Sequence, residues 1–187
     1  MTNLNIRDFK MKYIDITLKV PSPNTASEVA RNIHATITNV GKPYAMAMPR
    51  KKNEPYAFNI IRLFALDDEA ILDFLKVFNK NSDIKIGDTV DVPDDYDGDI
   101  VQYKYFSVQK PRKNTNNFDV YMQSFLQRSA FAESLYYFKY KHRNRGGKLN
   151  PKHFEELLTV GKLTEFNPNN YGFASANRQV WLPNFYL

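Results

Sequence analysis

Histidines and clustered cations mark where this chain could do chemistry. HRNRGGK (His142–Lys148) holds a histidine, three cationic side chains, Arg143, Arg145 and Lys148, and two glycines. Glycine lets a backbone approach phosphate oxygens closely, and arginine pairs with phosphate through parallel hydrogen bonds. SVQKPRK (Ser107–Lys113) sets Gln109 among Lys110, Arg112 and Lys113. An amide side chain reads a base edge through two hydrogen bonds, while neighbouring cations grip the sugar–phosphate backbone. Lys104 and Ser107 lie on the run leading into that stretch, and Lys139 and Lys141 alternate with aromatics in LYYFKYK (Leu135–Lys141). His34 is the one histidine of the first half. Imidazole titrates near neutrality, which suits it to take up and return a proton. The competing readings are a solvated hairpin tip for HRNRGGK, a polar linker for SVQKPRK and a packed, hydrogen-bonded residue for His34. Asn170–Gly172 (NYG) reads first as a turn.

The elements that must position these residues are legible in part. Ile14, Ile16, Leu18 and Val20 alternate with Tyr13, Asp15, Thr17 and Lys19, the period-2 pattern of a half-buried strand, which Pro21 and Pro23 stop. Thr25 with Glu28 reads as a capping box opening a helix. At about 100° per residue Val29, Ala30, Ile33, Ile37 and Val40 form its apolar stripe, Gly41 closes it, and His34 lies at the stripe's edge. Tyr44–Met48 is a short strand followed by a loop with Arg50, Lys51 and Lys52; Tyr56–Leu66 is a central strand. Asp67, Asp68 and Glu69 crowd the start of a second helix whose buried face is Ile71, Phe74, Leu75 and Phe78. Ile84–Val92 is a short strand broken by Gly87, PDDYDGD (Pro93–Asp99) a solvated acidic turn, and Ile100–Lys110 a strand. The order β-α-β-β-α-β predicts an α+β fold with an N-terminal ferredoxin-like (RRM-like) domain over 11–110. Residues 1–10 read as a leader. A smaller basic α/β lobe follows over 111–187, with a helix from Phe118 to about Arg128, a strand at Leu135–Lys141, and a short helix from Asn150-Pro151 to Gly161.

Composition bounds the answer. The 187 residues include 27 aromatics (12 Tyr, 14 Phe and 1 Trp) and 43% hydrophobic residues, as a folded chain requires. There is no cysteine, which removes disulfides, thiol catalysis and Cys-based metal sites. No apolar run approaches the ~20 residues of a bilayer-spanning helix, and no signal-peptide pattern opens the chain; a cytoplasmic protein without a membrane partner is expected. Charge is uneven: residues 1–100 hold 13 Lys and Arg against 15 Asp and Glu, a net −2, and residues 101–187 hold 13 against 5, a net +8. A basic, Tyr-rich half is the footprint of a nucleic-acid binder. GxxxxGK[ST], GxGxxG, HExxH and GxSxG are all absent, and no His and carboxylate cluster has metal-ligand spacing.

Taken in order, these stretches resemble the CRISPR repeat-processing endoribonucleases of the type I-F class over most of residues 11–187. MKYIDITL resembles the family's opening strand, NIHATI its helix bearing the catalytic histidine, and YAMAMP its short second strand. DDEAILDFL, KIGDTVDVP and YFSVQK fall where its second helix and later strands lie, and Tyr171-Gly172 before a Trp/Pro/Phe-rich end matches its active-site tyrosine region. The resemblance implies that His34, Tyr171 and His142, the last in the place of the family's serine, are catalytic. RNA contacts are expected from Lys104, Ser107, Gln109, Lys110, Arg112, Lys113, Lys139, Lys141, Arg143, Arg145 and Lys148, the grip having moved from the family's helix to the 110–113 linker and the 139–148 hairpin. Gln109 matches the family's base-reading glutamine, whereas Ser107 stands where an arginine is usual, and Leu149 replaces a stacking aromatic. The family's arginine-rich helix is here Phe118–Arg128, with Asp119, Val120, Gln123, Ser124 and Gln127 outward and Arg128 at its end.

The expected function is therefore a metal-independent endoribonuclease with no cofactor. It would bind the stem-loop of CRISPR repeat RNA, cut at its 3′ base to leave a 2′,3′-cyclic phosphate, and stay with the guide RNA among other subunits of a type I-F interference complex. The alternative is a non-catalytic subunit that caps the guide RNA hairpin; a scaffold that binds no RNA fits the +8 half less well.

Overall fold

The computed structural model describes residues 10–49, 59–114, 116–141, 149–163 and 166–185. Residues 1–9 of the expected leader, the Arg50–Lys52 loop and HRNRGGK lie outside the described residues. The architecture is α+β. Its elements are β1 (Lys12–Leu18), α1 (Pro23–Val40), β2 (Ala45–Ala47), β3 (Ile60–Ala65), α2 (Asp68–Val77), β4 (Ile84–Ile86), β5 (Val90–Asp91), β6 (Asp97–Phe106), α3 (Phe118–Glu133), β7 (Tyr136–Lys141), β8 (Leu149–Lys162) and β9 (Leu182–Pro183).

The first sheet has the order β2-β3-β1-β4, every pair antiparallel, with β5 also on β1. The alternation in β1 is realised as read: Ile14, Ile16 and Leu18 are buried, while Val20 lies beyond the strand's end and is exposed. The opposite face is closed by an ion pair. Arg62 of β3 bonds Asp15 through Nε and Nη2 at 2.7 and 2.8 Å, with its guanidinium 4.2 Å from the Tyr13 ring centre and Phe185 beyond. A planar fork matches a carboxylate through two bonds and still stacks on a ring.

Helix α1 has its N-cap three residues earlier than the capping-box reading placed it. Ser22 is the N-cap, accepting from the Thr25 N–H at 3.1 Å, and Pro23 occupies the first turn, where its missing N–H costs nothing. Gly41 ends the helix in the left-handed region as expected. Helix α2 opens on Asp67, whose carboxylate accepts from the Ala70 N–H. Helices α1 and α2 pack together, and α1 also packs on β7.

Two assignments are corrected. Of the run expected as the last strand of the first sheet, Ile100–Lys110, residues 100–106 belong to β6 of a second sheet with the order β7-β8-β6-β9; β6 opens at Asp97, inside the expected acidic turn, and residues 107–110 follow its end. Asn150–Gly161, expected as a helix, is most of β8, paired to β6 from Asp97↔Lys162 to Phe106↔His153 and to β7 on its other side. Asn-Pro is a helix-opening pair only where nothing stronger competes, and here a ladder on both sides wins. Pro151 is tolerated because β6 ends opposite His153, so Pro151 faces only β7, across from Lys139. Helix α3 runs to Glu133, past the expected Arg128, and buries only Ala132 fully. Arg128 ties it down, donating to the Ser107 carbonyl at 2.8 Å and lying 4.4 Å from the centre of Phe106.

One buried cluster runs through both sheets, from Ile14 and Ile33 to Phe138 and Phe173. Of the ten residues expected in the core, Ile60 and Leu75 are half-buried, and Ile14, Ile16, Leu18, Val29, Ile33, Ile37, Leu63 and Ile71 are fully buried. Ile33 is 0% exposed at the centre of the α1 stripe. Ile33→Ala should lower the unfolding free energy by ~2–5 kcal/mol in denaturant titration, through lost transfer energy and the cavity left behind. A loss under ~1 kcal/mol, the level of a surface change, would mean that α1 is not seated on this core.

Candidate active site and basic groove

The site begins with a turn. Asn169 accepts through Oδ1 from the Tyr171 and Phe173 N–H groups at 2.8 and 3.2 Å, and its own N–H donates to the Phe173 carbonyl at 2.8 Å. Asparagine closing its own following backbone is what makes NPNNYGF a rigid loop. Gly172 has φ +79 and donates to the Asn169 carbonyl, while its own carbonyl accepts from the Met46 N–H at 2.8 Å. A Cβ at Gly172 would sit 3.2 Å from the Met46 N and 3.1 Å from its Cγ. The turn is thereby fastened to β2, and this attachment turns Asn170 and Tyr171 toward α1.

His34 meets both. Its Nδ1 lies 2.7 Å from the Asn170 carbonyl oxygen, and its ring stacks on Tyr171 with centroids 4.0 Å apart at 18°. A carbonyl only accepts, so Nδ1 carries the proton and the neutral ring keeps its lone pair on Nε2. Burial is the main cause holding the His34 pKa below 6.5, the Asn170 carbonyl opposes it, and Lys152 adds to the lowering. A ring held neutral with Nε2 bare is a base at neutral pH.

Two further side chains complete the cluster. Tyr140 of β7 meets Tyr171 edge-on at 5.1 Å and His34 at 6.1 Å. It is 5% exposed, burial pushes its phenol well above the usual range, and its hydroxyl has no hydrogen-bond partner among the described residues. Lys152 of β8 holds its Nζ 3.8 Å from the centre of Tyr171, 5.3 Å from Tyr140 and 5.8 Å from Tyr105. Sequence reasoning missed Lys152 because it placed residues 150–161 on a helix. Read as a strand, period 2 puts Lys152 on the same face as Phe154. Helix α1 is held against β7 by three bonds: Lys139 N–H to Ser27 Oγ at 3.0 Å, Arg31 Nη1 to the Lys139 carbonyl at 2.8 Å, and Lys139 Nζ to Asn24 Oδ1 at 3.0 Å.

A second grouping lies at the linker. Gln109, Lys110 and Arg112, together with Tyr121, Phe125 and Arg128 of α3, line a cavity of about 450 Å³. Lys113 is exposed beside it and Lys104 is exposed on β6. Ser107 is half-buried, its carbonyl engaged by Arg128. So the structure brings His34 and Tyr171 together, and separately gathers Gln109, Lys110 and Arg112. Lys139 is turned to α1. His142, Arg143, Arg145 and Lys148 lie outside the described residues, and of Lys141 only the backbone is described. Among the described residues no group of three His, Cys, Asp or Glu side chains is placed to hold a metal ion, and no helix is long and apolar enough to cross a membrane.

No protein-family model matches the chain, and no curated protein matches it.

The two left-handed glycines separate strain from crowding. Gly41 has φ +74 and open space where a Cβ would go, whereas Gly172, at φ +79, is crowded as well. Gly41→Ala should cost ~1–2 kcal/mol, the price of a Cβ in that backbone region. Gly172→Ala should cost more in the same denaturation experiment. It alone should shift the His34 ring resonances, because the turn must lift from β2. Equal costs with unmoved His34 signals would show that the turn does not position the ring.

Proposed function

We propose that the protein is an endoribonuclease that cuts RNA by attack of a ribose 2′-hydroxyl on its own 3′ phosphate. The observation that carries this reading is His34 stacked on Tyr171 with Nδ1 tied to the Asn170 carbonyl, leaving Nε2 as acceptor. Proton transfer to Nε2 generates the nucleophile; the O2′–P bond forms as the P–O5′ bond breaks, giving a 2′,3′-cyclic phosphate. Tyr171, which holds the His34 ring by stacking, would position the nucleotide beside it. The chemistry needs no metal ion.

The substrate in this reading is the stem-loop of CRISPR repeat RNA, cut at its 3′ base. Other subunits of a type I-F interference complex would be partners. Three features support it. The antiparallel order β4-β1-β3-β2 with α1 and α2 between strands is what a ferredoxin-like, RRM-like domain would have. The +8 charge of residues 101–187 suits a polyanion. The Gln109, Lys110, Arg112 and Arg128 groove combines an amide reader with backbone-gripping cations. Lys141, His142 or Arg143 would also stabilise the charge that develops on the phosphate.

His34→Ala should lose 10²–10⁴-fold in single-turnover cleavage, a typical proton-transfer contribution, while hairpin binding and thermal stability stay nearly intact. Cleavage should persist in EDTA. Since the base form is required and its pKa is depressed, the acid limb of the rate should have its midpoint below that of an ordinary imidazole. The same sign governs stability: unfolded His34 takes a proton more readily than folded, so acid below 6.5 favours unfolding. Wild-type protein that binds repeat hairpins but never cuts them would favour the capping-subunit reading.

Binding has its own test. Neutralising Arg112 with Lys113 should weaken hairpin binding and flatten the salt dependence, since fewer counterions are released. Gln109→Ala should instead cost ~1–3 kcal/mol of discrimination between stem sequences. Unchanged affinity of the double variant across ionic strengths would place the RNA on another surface.

A further inference from the structure

We propose that Lys152 is a further catalytic residue, the cation that meets the phosphate oxygens of the scissile linkage. The proposal rests on the endoribonuclease reading above and adds the residue that stabilises its transition state.

The argument starts from the pleat of β8. Lys152 is paired across the ladder with Phe138, and period 2 sets it on the same face as Phe154. Those neighbours are 0% and 2% exposed, so Lys152 stands on the core-facing side, at the rim where the core opens beside Tyr171. Lysine is rare on such a face unless an opposite charge meets it. Among the described residues no carboxylate pairs with its ammonium; three aromatic rings surround it instead. Ring faces attract a cation without consuming its N–H donors, so an ammonium held this way keeps three donors for an anion.

The anion's chemistry follows from the neighbour. His34 and the Lys152 ammonium are each centred about as closely as packing allows on Tyr171, at 4.0 and 3.8 Å. On one face they would overlap, so each takes its own side of the ring. A group that bridges the ring edge meets a neutral base on one side and a cation on the other. An RNA phosphodiester has that pair of needs: a 2′-hydroxyl to deprotonate and non-bridging oxygens that gain negative charge. The proton passes from O2′ to His34 Nε2, the O2′–P bond forms, the P–O5′ bond breaks, and the departing oxygen takes a proton from solvent. Lys152 offsets the charge that grows on the non-bridging oxygens between those events.

A different role for Lys152 is to cover aromatic surface with its aliphatic stem. Methionine keeps the stem and drops the charge, so it separates the two. Hairpin RNAs with randomised stems are incubated with protein in EDTA, and those cut by wild type supply the substrate for single-turnover rates. Lys152→Met should keep the thermal midpoint and hairpin affinity near wild type and lose ~10²–10³-fold in cleavage rate. Lys152→Arg should recover part of that loss. The acid limb of the rate profile, or the imidazole NMR titration, should move upward in Lys152→Met as His34 loses its cationic neighbour. Should Met disturb folding, Lys152→Gln takes its place. A Met or Gln variant cutting at the wild-type rate overturns the role of Lys152 and leaves the endoribonuclease standing. Wild type that cuts no hairpin in the pool overturns both.

Discussion

The attachment of Gly172 to β2 is the constraint on which the candidate site depends. Strand β2 is three residues long and lies at the edge of the first sheet, so its outer backbone groups need partners. Met46 finds one in the Gly172 carbonyl, and only a residue without a Cβ can come that close. The turn that carries Asn170 and Tyr171 is thus fixed by the same sheet that seats α1, and His34 is fixed by α1. Imidazole, orienting carbonyl and stacking ring are positioned by elements that share one buried cluster.

The two halves of the chain meet at that point. Tyr103 of β6 donates to the Met48 carbonyl at 3.1 Å, Ala174 N–H donates to the Tyr103 carbonyl at 3.0 Å, and the Lys139 backbone is bonded to Ser27 and Arg31 of α1. The second sheet therefore supplies Tyr140 and Lys152 to a cluster whose histidine belongs to the first. Distribution of charge follows the same division. Lys10, Lys12 and Lys42 of the first half are paired with Asp91, Asp68 and Asp73, whereas the Lys152 ammonium faces rings. A cation already paired with carboxylate is a poor phosphate ligand; one resting on rings is free to become one.

Helix α3 marks the boundary of what packing explains. Val120, Tyr121 and Leu126 are exposed, and the helix is tied mainly through Arg128 and Phe131 against Phe106. Phe118, Met122, Phe125 and Leu126 have helical spacing, yet the first three are only half-buried and Leu126 is exposed. Local periodicity thus predicts the element more reliably than its depth.

What the sequence determined by itself was local: the alternation of β1, the stripe and glycine stop of α1, the acidic start of α2, the aromatic face of β7 and the basic bias of the second half. Each depends on residues within a few positions of one another, where backbone geometry and solvent alone choose the conformation. His34 could be placed at the rim of its helix on the same ground. The tertiary structure decided which sheet β6 joins and that Asn150–Gly161 is a strand, because ladder partners some fifty residues away outweighed a local Asn-Pro signal. It also decided that Tyr171, 137 positions after His34, stacks on that ring, and that Lys152 stands beside both. Such encounters are set by which surfaces must be buried together and by where one glycine permits two backbones to touch, and no spacing along the chain encodes them.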